Sequence, residues 1–367
     1  MSSYRGLGQL ARNVRLLLTG FCAPGFSSIV YSLRKSRKFD FYIFSTDWKP
    51  HFAAHFADNS DVIGDNLDPE WPTRIIAAAK KEKVEVLIPI RTDDLAPLAR
   101  NINVLRGLGV EPTLPSENSK LIESLSNKVE LYKAVKKLDL QTPEYYSATN
   151  VDDFETAATK LGYPEVPICI KPAVADGSRG FRILDETKDR KKMFFSEKPN
   201  SVYSDLDIVK EILGDSFQKM LLMEFLPGRE YTVDILCQKG MTYAVLPRLR
   251  TVMTGGITTG AVLAKDEHFE FIEQFSERIV SGFDLSYNIG IQLREDREGN
   301  LKLLEMNPRL QGTTVISVEG GVNIPEIMVD MALGTFDTGF KPTIKWGLKL
   351  QRVWREILEF EGKQWTS

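Results

Sequence analysis

In the first hundred residues, short apolar runs alternate with stretches of helical period. "VRLLLTG" (14–20), "DFYIFSTDW" (40–48) and "VEVLIPI" (84–90) have the length and composition of buried strands. "GFSSIVYSLRKS" (25–36) and "PTRIIAAAKKEK" (72–83) place their apolar residues three and four apart, as amphipathic helices do. Strands this apolar, separated by helices, build a parallel sheet covered on both faces. The chain therefore opens with a doubly wound α/β unit.

The pattern then changes. "GLGVEPTLPSENSK" (107–120) is rich in turn formers and reads as a connector, followed by one long helix from about Ser119 to Leu138. "VPICIKP" and "FRILDE" flank "AVADGSRG" as a hairpin would. "KMLLMEFLPGREYTVDILCQKGMTYAVLPRLR" alternates and turns like antiparallel strands. A helix is expected in "EHFEFIEQFSERIVSGF", then strands in "NIGIQLRED" and "GNLKLLEMNPR", then a helix in "NIPEIMVDMALG" closed by Gly334. A larger α+β unit thus follows the α/β unit, and 367 residues suffice for both.

Composition limits the function. A formal net charge of −3 argues against a nucleic-acid binder. No apolar run reaches the roughly 18 residues of a membrane span, and the N-terminal apolar run is too short for a signal peptide. Cys22, Cys169 and Cys237 are few and scattered, so a reduced, cytoplasmic protein is expected.

Chemistry concentrates near the C-terminal strands. In "LLEMNPR", Glu305, Asn307 and Arg309 recur at every second residue and so share one strand face. Across the turn, Gln292 would stand near Glu305. Hard oxygen donors of this kind suit Mg²⁺, and Pro308 fixes where Arg309 points. Unrelated polar residues on solvated strand faces would give the same letters. Lys171 ends a strand before a glycine loop that could close over phosphates, or be a plain hairpin turn. "LLMEFLPGREYTVD" offers an apolar strand, a turn and Glu230, as a base and a ribose diol require, or simply a tight turn. Arg248 and Arg250 lie two apart before a Gly-rich loop, either as carboxylate or phosphate forks or as a solvated face.

In this order, "NKVELYK", "CIKP…DGSRG", "MEFLPGREYTVD", "IQL" and "LLEMNPR" resemble the ATP-grasp superfamily, most closely the carbamoyl-phosphate synthase large subunit and carboxylate–amine ligase branch. The resemblance covers nearly the whole chain. It implies a Rossmann-like pre-ATP-grasp domain (1–114) and an α+β ATP-grasp domain (115–367) with a mobile lid at about 142–222. It implies that Gln292, Glu305 and Asn307 hold Mg²⁺ (or Mn²⁺) on the ATP phosphates. Lys128 and Lys171 would hold phosphates, under a loop of Ala175, Asp176, Gly177, Ser178, Arg179 and Gly180. Glu224, Phe225 and Leu226 would form the adenine hinge, and Glu230 would hold the ribose. Arg309 would meet the transferring phosphate, with Arg248 and Arg250 on the acceptor side. Gln292 stands where many members carry an acidic residue, which bears on whether one or two metal ions bind. The implied activity joins a carboxylate to an amine through an acyl-phosphate. Alternatives are a kinase of bicarbonate or carbamate and a non-catalytic ATP-binding regulator. The implied partners are small molecules, with a homodimer as a possible assembly.

Other features are set aside. His51 and His55 have helical spacing but no zincin glutamate between them. "GFCAPG" lacks the dinucleotide fingerprint, and Cys22 suits packing better than attack. Asp93 and Asp94 end a strand where α/β sheets open their ligand crevice, as substrate contacts or as helix caps.

Overall fold

The computed structural model describes residues 11–175, 179–196, 202–354 and 356–366. Its first sheet holds β1 (Arg12–Thr19), β2 (Phe39–Asp47), β3 (Asn59–Val62), β4 (Val86–Pro89) and β5 (Glu111–Pro112) in the order β3-β2-β1-β4-β5. Every pairing is parallel. Alternate residues of β1 enter different cores. Val14, Leu16 and Leu18 pack with the helices Phe26–Arg34 and Ile324–Ala332, whereas Leu17 packs with Trp71, Ile75 and Leu95. Both faces are dry, as the apolar runs anticipate. β5 lies inside the expected connector, because two residues, one of them proline, carry no strand period.

The expected long helix is two helices, Ser119–Ser126 and Lys128–Lys137. Asn127 divides them. Its side chain accepts from the amides of Val129 and Glu130 at 3.0 and 3.3 Å, so it caps the second helix. The break turns Lys128 inward, and its backbone amide donates to Ala173 at 2.9 Å.

A second sheet follows, built from β6 (Tyr145–Asn150), β7 (Ile168–Pro172), β8 (Arg182–Leu184), β9 (Tyr203–Ser204) and β10 (Ser216–Glu224) in the order β6-β10-β7-β8-β9. β7 and β8 pair antiparallel around the glycine loop. Helices Val151–Lys160 and Leu206–Leu213 pack on this sheet through Phe154, Ala157, Ala158 and Val209.

The third sheet joins β11 (Glu230–Gln238), β12 (Met241–Thr254), β13 (Ile257–Leu263), β14 (Tyr287–Glu295), β15 (Leu301–Asn307) and β16 (Lys349–Gln351) in the order β15-β14-β11-β12-β13-β16. Its pairings are antiparallel. Helix Phe269–Gly282 fills one core through Ile272, Phe275 and Ile279. Leu236, Ala244 and Leu246 share the core of β1 and its helices, which seats this sheet beside the first. A last hairpin, β17 (Ile357–Phe360) and β18 (Lys363–Thr366), stands apart from the three sheets. Among the described residues, no helix is long and apolar enough to cross a membrane.

Candidate functional site

The three sheets converge on a cavity of about 740 Å³. Its floor is one face of the third sheet, and strand register decides what that face carries. Gln292 pairs directly with Glu305, and Gly290 with Asn307. Thr232 lies opposite Gln292 on one side and Arg248 on the other, while Glu230 lies opposite Arg294 and ion-pairs with Arg250. Residues in register on neighbouring strands point to the same face. The polar letters of four strands therefore form rungs of one ladder.

Asn307 links the metal candidates. Its amide Nδ2 donates to Glu305 Oε1 at 2.8 Å, and its Oδ1 accepts from Arg309 Nη2 at 3.3 Å. Arg309 reaches across to the first sheet, donating from Nε to Thr92 Oγ1 at 3.3 Å. Burial pulls the Glu305 carboxyl toward neutrality. Lys128 and Lys171, with the hydrogen bond from Asn307, outweigh that pull and hold it below the usual carboxylate range.

The two lysines bring charge from outside this sheet. Lys128, at the start of its helix, donates from Nζ to the Ala175 carbonyl at 2.7 Å. Lys171, on β7, reaches the Leu304 carbonyl at 3.3 Å, which Tyr132 also holds through its hydroxyl at 2.8 Å. Burial, then repulsion from Lys128, pushes Lys171 down to about 8, although Glu305 pulls the other way. Among the described residues, neither ammonium has a carboxylate within ion-pairing distance. A buried and a partly buried cation without such a partner are suited to an anion. Oxygen donors on Gln292, Glu305 and Asn307 suit a hard divalent cation. The residues present thus fit both a polyphosphate and Mg²⁺.

The glycine loop lies partly in view. Ala175 and Arg179 line the cavity. Gly180 adopts φ +70°, and a Cβ there would lie 2.7 Å from Pro172 Cδ, so this close turn requires glycine. Asp176, Gly177 and Ser178 lie outside the described residues.

Other expected residues separate. Leu226 lines the cavity with Met223, but the Glu224 side chain turns away. It accepts from the Glu144 amide at 2.8 Å and pairs with Lys302 at 2.7 Å, which fixes the hinge strand. Phe225 packs at the edge of the main core. Glu230 lines the cavity, but two guanidiniums already engage it, those of Arg250 and, at 3.5 Å, Arg294. Arg250 also donates to Gln292 Oε1 at 3.3 Å.

Arg248 corrects the expectation of an acceptor contact. Its side chain is 0% exposed and forks onto Asp234, which is also 0% exposed. Ser317 Oγ and Gln311 Nε2 reach the same carboxylate at 3.0 and 3.3 Å. Gln311 passes directly over Gly290, where a Cβ would lie 2.4 Å from its amide. Arg248 is therefore an internal strut that fastens the loop after β15 to the sheet.

The first sheet supplies the far wall, at the point where its strand order reverses between β1 and β4. Asp47, Trp48, Lys49, Arg91 and Asp93 line it. Asp47 accepts from the Cys22 and Trp48 amides at 2.5 and 2.8 Å and faces Arg91 at 3.6 Å. Burial and the nearby Asp47 push the Cys22 thiol up to about 12, so it is no thiolate nucleophile. Asp94 is buried away from the cavity, where Thr19 and Asn66 donate to it at 2.6 and 2.7 Å. His51 caps the short turn Phe52–Phe56 through Nδ1.

Sequence reasoning missed Arg352. It lines the cavity just beyond β16 and donates to the carbonyls of Pro24, at 3.3 Å, and Gly312. Gly25 and Gly312 touch there, for a Cβ on Gly25 would lie 2.5 Å from Gly312 Cα. Asp47 and Arg91 carried a signal, polar residues at the ends of parallel strands. Arg352 carried none.

Comparison with known proteins agrees with this layout. Residues 216–355 match the family described as ATP-grasp in the biosynthetic pathway with Ter operon. The carbamoyl phosphate synthase large chain of Caldanaerobacter subterraneus is 24% identical over 224 residues, 59% of this chain but only 19% of that one. This chain thus spans about a fifth of that relative. The formate-dependent phosphoribosylglycinamide formyltransferase of Bacteroides fragilis is 22% identical over 75% of this chain and 66% of its own. Among solved structures, N5-carboxyaminoimidazole synthetase from Staphylococcus aureus complexed with ADP superposes with a TM-score of 0.67 at 12% identity, covering 94% of this chain and 83% of that one. Biotin carboxylase from Campylobacter jejuni gives 0.66 at 16%, covering 90% and 73%. The matched segment and these relatives thus show similarity to ATP-grasp proteins, and the superposed structures show that the chain shares their fold.

Proposed function

We propose that the protein is an ATP-dependent ligase that joins a carboxylate to an amine. The carrying observation is the cluster of Gln292, Glu305 and Asn307 in one cavity with the buried Lys128 and the partly buried Lys171. In this reading a carboxylate oxygen of the substrate attacks the γ-phosphorus of ATP, and ADP leaves. The amine nitrogen then attacks the acyl carbon, the carbon–oxygen bond to phosphate breaks, and the amine loses a proton. A divalent ion, Mg²⁺ or Mn²⁺, would be held by Gln292, Glu305 and Asn307 and would supply positive charge to the phosphates. The chain's own part is positional. Lys128 and Lys171 hold the phosphates, Leu226 and Met223 wall the base, and Glu230 meets the ribose. Arg309 sits between the nucleotide side and the first sheet, where the two substrates would meet. Positioning and fixed charge of this kind are what phosphoryl transfer requires. Residues 1–114 would supply the acceptor side and residues 115–367 the nucleotide side, with about 142–222 as the lid.

A second reading, phosphorylation of bicarbonate, is favoured by the likeness to carbamoyl phosphate synthase chains. One assay separates the two. The protein, MgATP and pooled small acids and amines are incubated with and without bicarbonate, and nucleotides and products are identified by mass spectrometry. ADP formation that needs both an acid and an amine supports the ligase. ADP with bicarbonate alone supports the second reading, and AMP with pyrophosphate refutes both.

A further inference from the structure

Among the described residues, nine cationic side chains line the cavity against four carboxylates, in a chain whose formal net charge is −3. An excess of that size favours anionic ligands. The mouth is different in kind. There the β12–β13 hairpin turns at Gly255 and Gly256, whose φ values of +55° and +78° are those of a tight two-residue turn. The strands therefore continue almost to the tip, and Met253 and Ile257 line the cavity while remaining 46% and 42% exposed. Arg250 fixes this tip over the charged floor. Its Nη2 donates to the Gly256 carbonyl at 3.2 Å, and its Nη1 engages Glu230 and Gln292. Trp48, 43% exposed, lines the same cavity from the first sheet.

Three large apolar side chains thus stay half open around a cationic cavity. Water is a poor neighbour for such surface, and a ligand with an apolar part would cover it. An acid without one would leave it wet. We propose that the second substrate is a carboxylic acid bearing a bulky apolar substituent, and that Met253 and Ile257, with Trp48 on the wall of the same cavity, select it. This rests on the ligase reading above and names the class of acid that the same site takes.

The test uses the full chain with MgATP and hydroxylamine, which traps an acyl-phosphate as a hydroxamate. Acetate, hexanoate, 3-phenylpropionate and succinate serve as probes. We expect kcat/KM for 3-phenylpropionate to exceed those for acetate and succinate by at least about tenfold, since single methylenes in apolar pockets already discriminate on that scale. Calorimetric titration with MgADP present should show the same order of binding. The double variant Met253→Ser, Ile257→Ser should bring the ratio of 3-phenylpropionate to acetate toward one, whereas Met253→Leu should keep it. Hydroxamate formation without apolar preference, or a preference unchanged in the double variant, overturns this proposal and leaves the ligase reading standing. The absence of both ADP and hydroxamate with every acid overturns the two together.

Discussion

Replacing Arg248 by methionine separates scaffold from chemistry at this site. The Arg248 and Asp234 side chains are both 0% exposed, and the guanidinium meets both carboxylate oxygens. Removing one partner of such a pair leaves the other as an uncompensated buried charge, a loss of roughly 3–5 kcal/mol. Asp234 would keep three weaker donors, Ser317 at 3.0 Å, Gln311 at 3.3 Å and Thr314 at 3.5 Å. That places Arg248→Met at the lower end, about 3 kcal/mol. The double variant Arg248→Met, Asp234→Asn removes both charges and keeps an amide for the same neighbours. It should recover at least half of the loss. Urea unfolding, followed by circular dichroism and tryptophan fluorescence, measures both. A loss below about 1 kcal/mol in the single variant, well short of what removing one partner of a buried pair costs, would refute the strut. A folded Arg248→Met protein whose kcat alone collapses would return Arg248 to the reacting atoms.

Glu305→Gln removes the one charged member of the proposed metal set, and turnover should fall by at least about 10²-fold while the protein stays folded. Arg309→Lys keeps the charge but loses the fork shared by Thr92 and Asn307, so kcat should drop with little change in ATP affinity. Lys171 loses its proton as pH rises through about 8 when no phosphate holds it. If bound phosphate restores its ordinary value, ATP affinity measured by titration should weaken by about 30-fold between pH 7 and 9.5, and Lys171→Arg should flatten the curve. Burial raises Asp94 to about 6 against the donors Thr19 and Asn66. The stability that its neutral form contributes is full below its unfolded value and is lost as pH rises through 6. Asp94→Asn should therefore gain on the parent protein by up to about 3 kcal/mol between pH 4 and 7, and an unchanged difference would refute the shift.

The fold was legible where a local period reports burial. β1, β2 and β4 are apolar on both faces, and a parallel sheet under two helical layers is the arrangement that hides both. The same logic failed where the deciding contact is not local. Residues 119–138 carry an apolar stripe throughout, yet Asn127 spends its side chain on capping, and Lys128 is drawn to Ala173 and Ala175. β5 and β16 are two and three residues long and exist because β4 and β13 offer an edge to pair with. Strands that short have no period to read.

At the site, the sequence specifies face and leaves depth open. The two-residue period of a strand says that Glu305 and Asn307 point the same way, and the turn before β15 brings Gln292 beside them. The same period puts Arg248 and Arg250 on one face, and it cannot tell them apart. Their difference comes from what covers each rung. Over Arg248 lies the loop after β15, with Gln311, Thr314 and Ser317 turned onto Asp234, and nothing in "PRLR" reports a segment some seventy residues away. Arg250 instead reaches the turn at Gly256, and it lines the cavity. Arg352 extends the point. It belongs to the end of a short edge strand, and its position follows from the contact of Gly25 with Gly312, two glycines that look like ordinary turn residues in the chain. A charged residue at this sheet is thus buried or exposed to the cavity according to which distant loop closes over it.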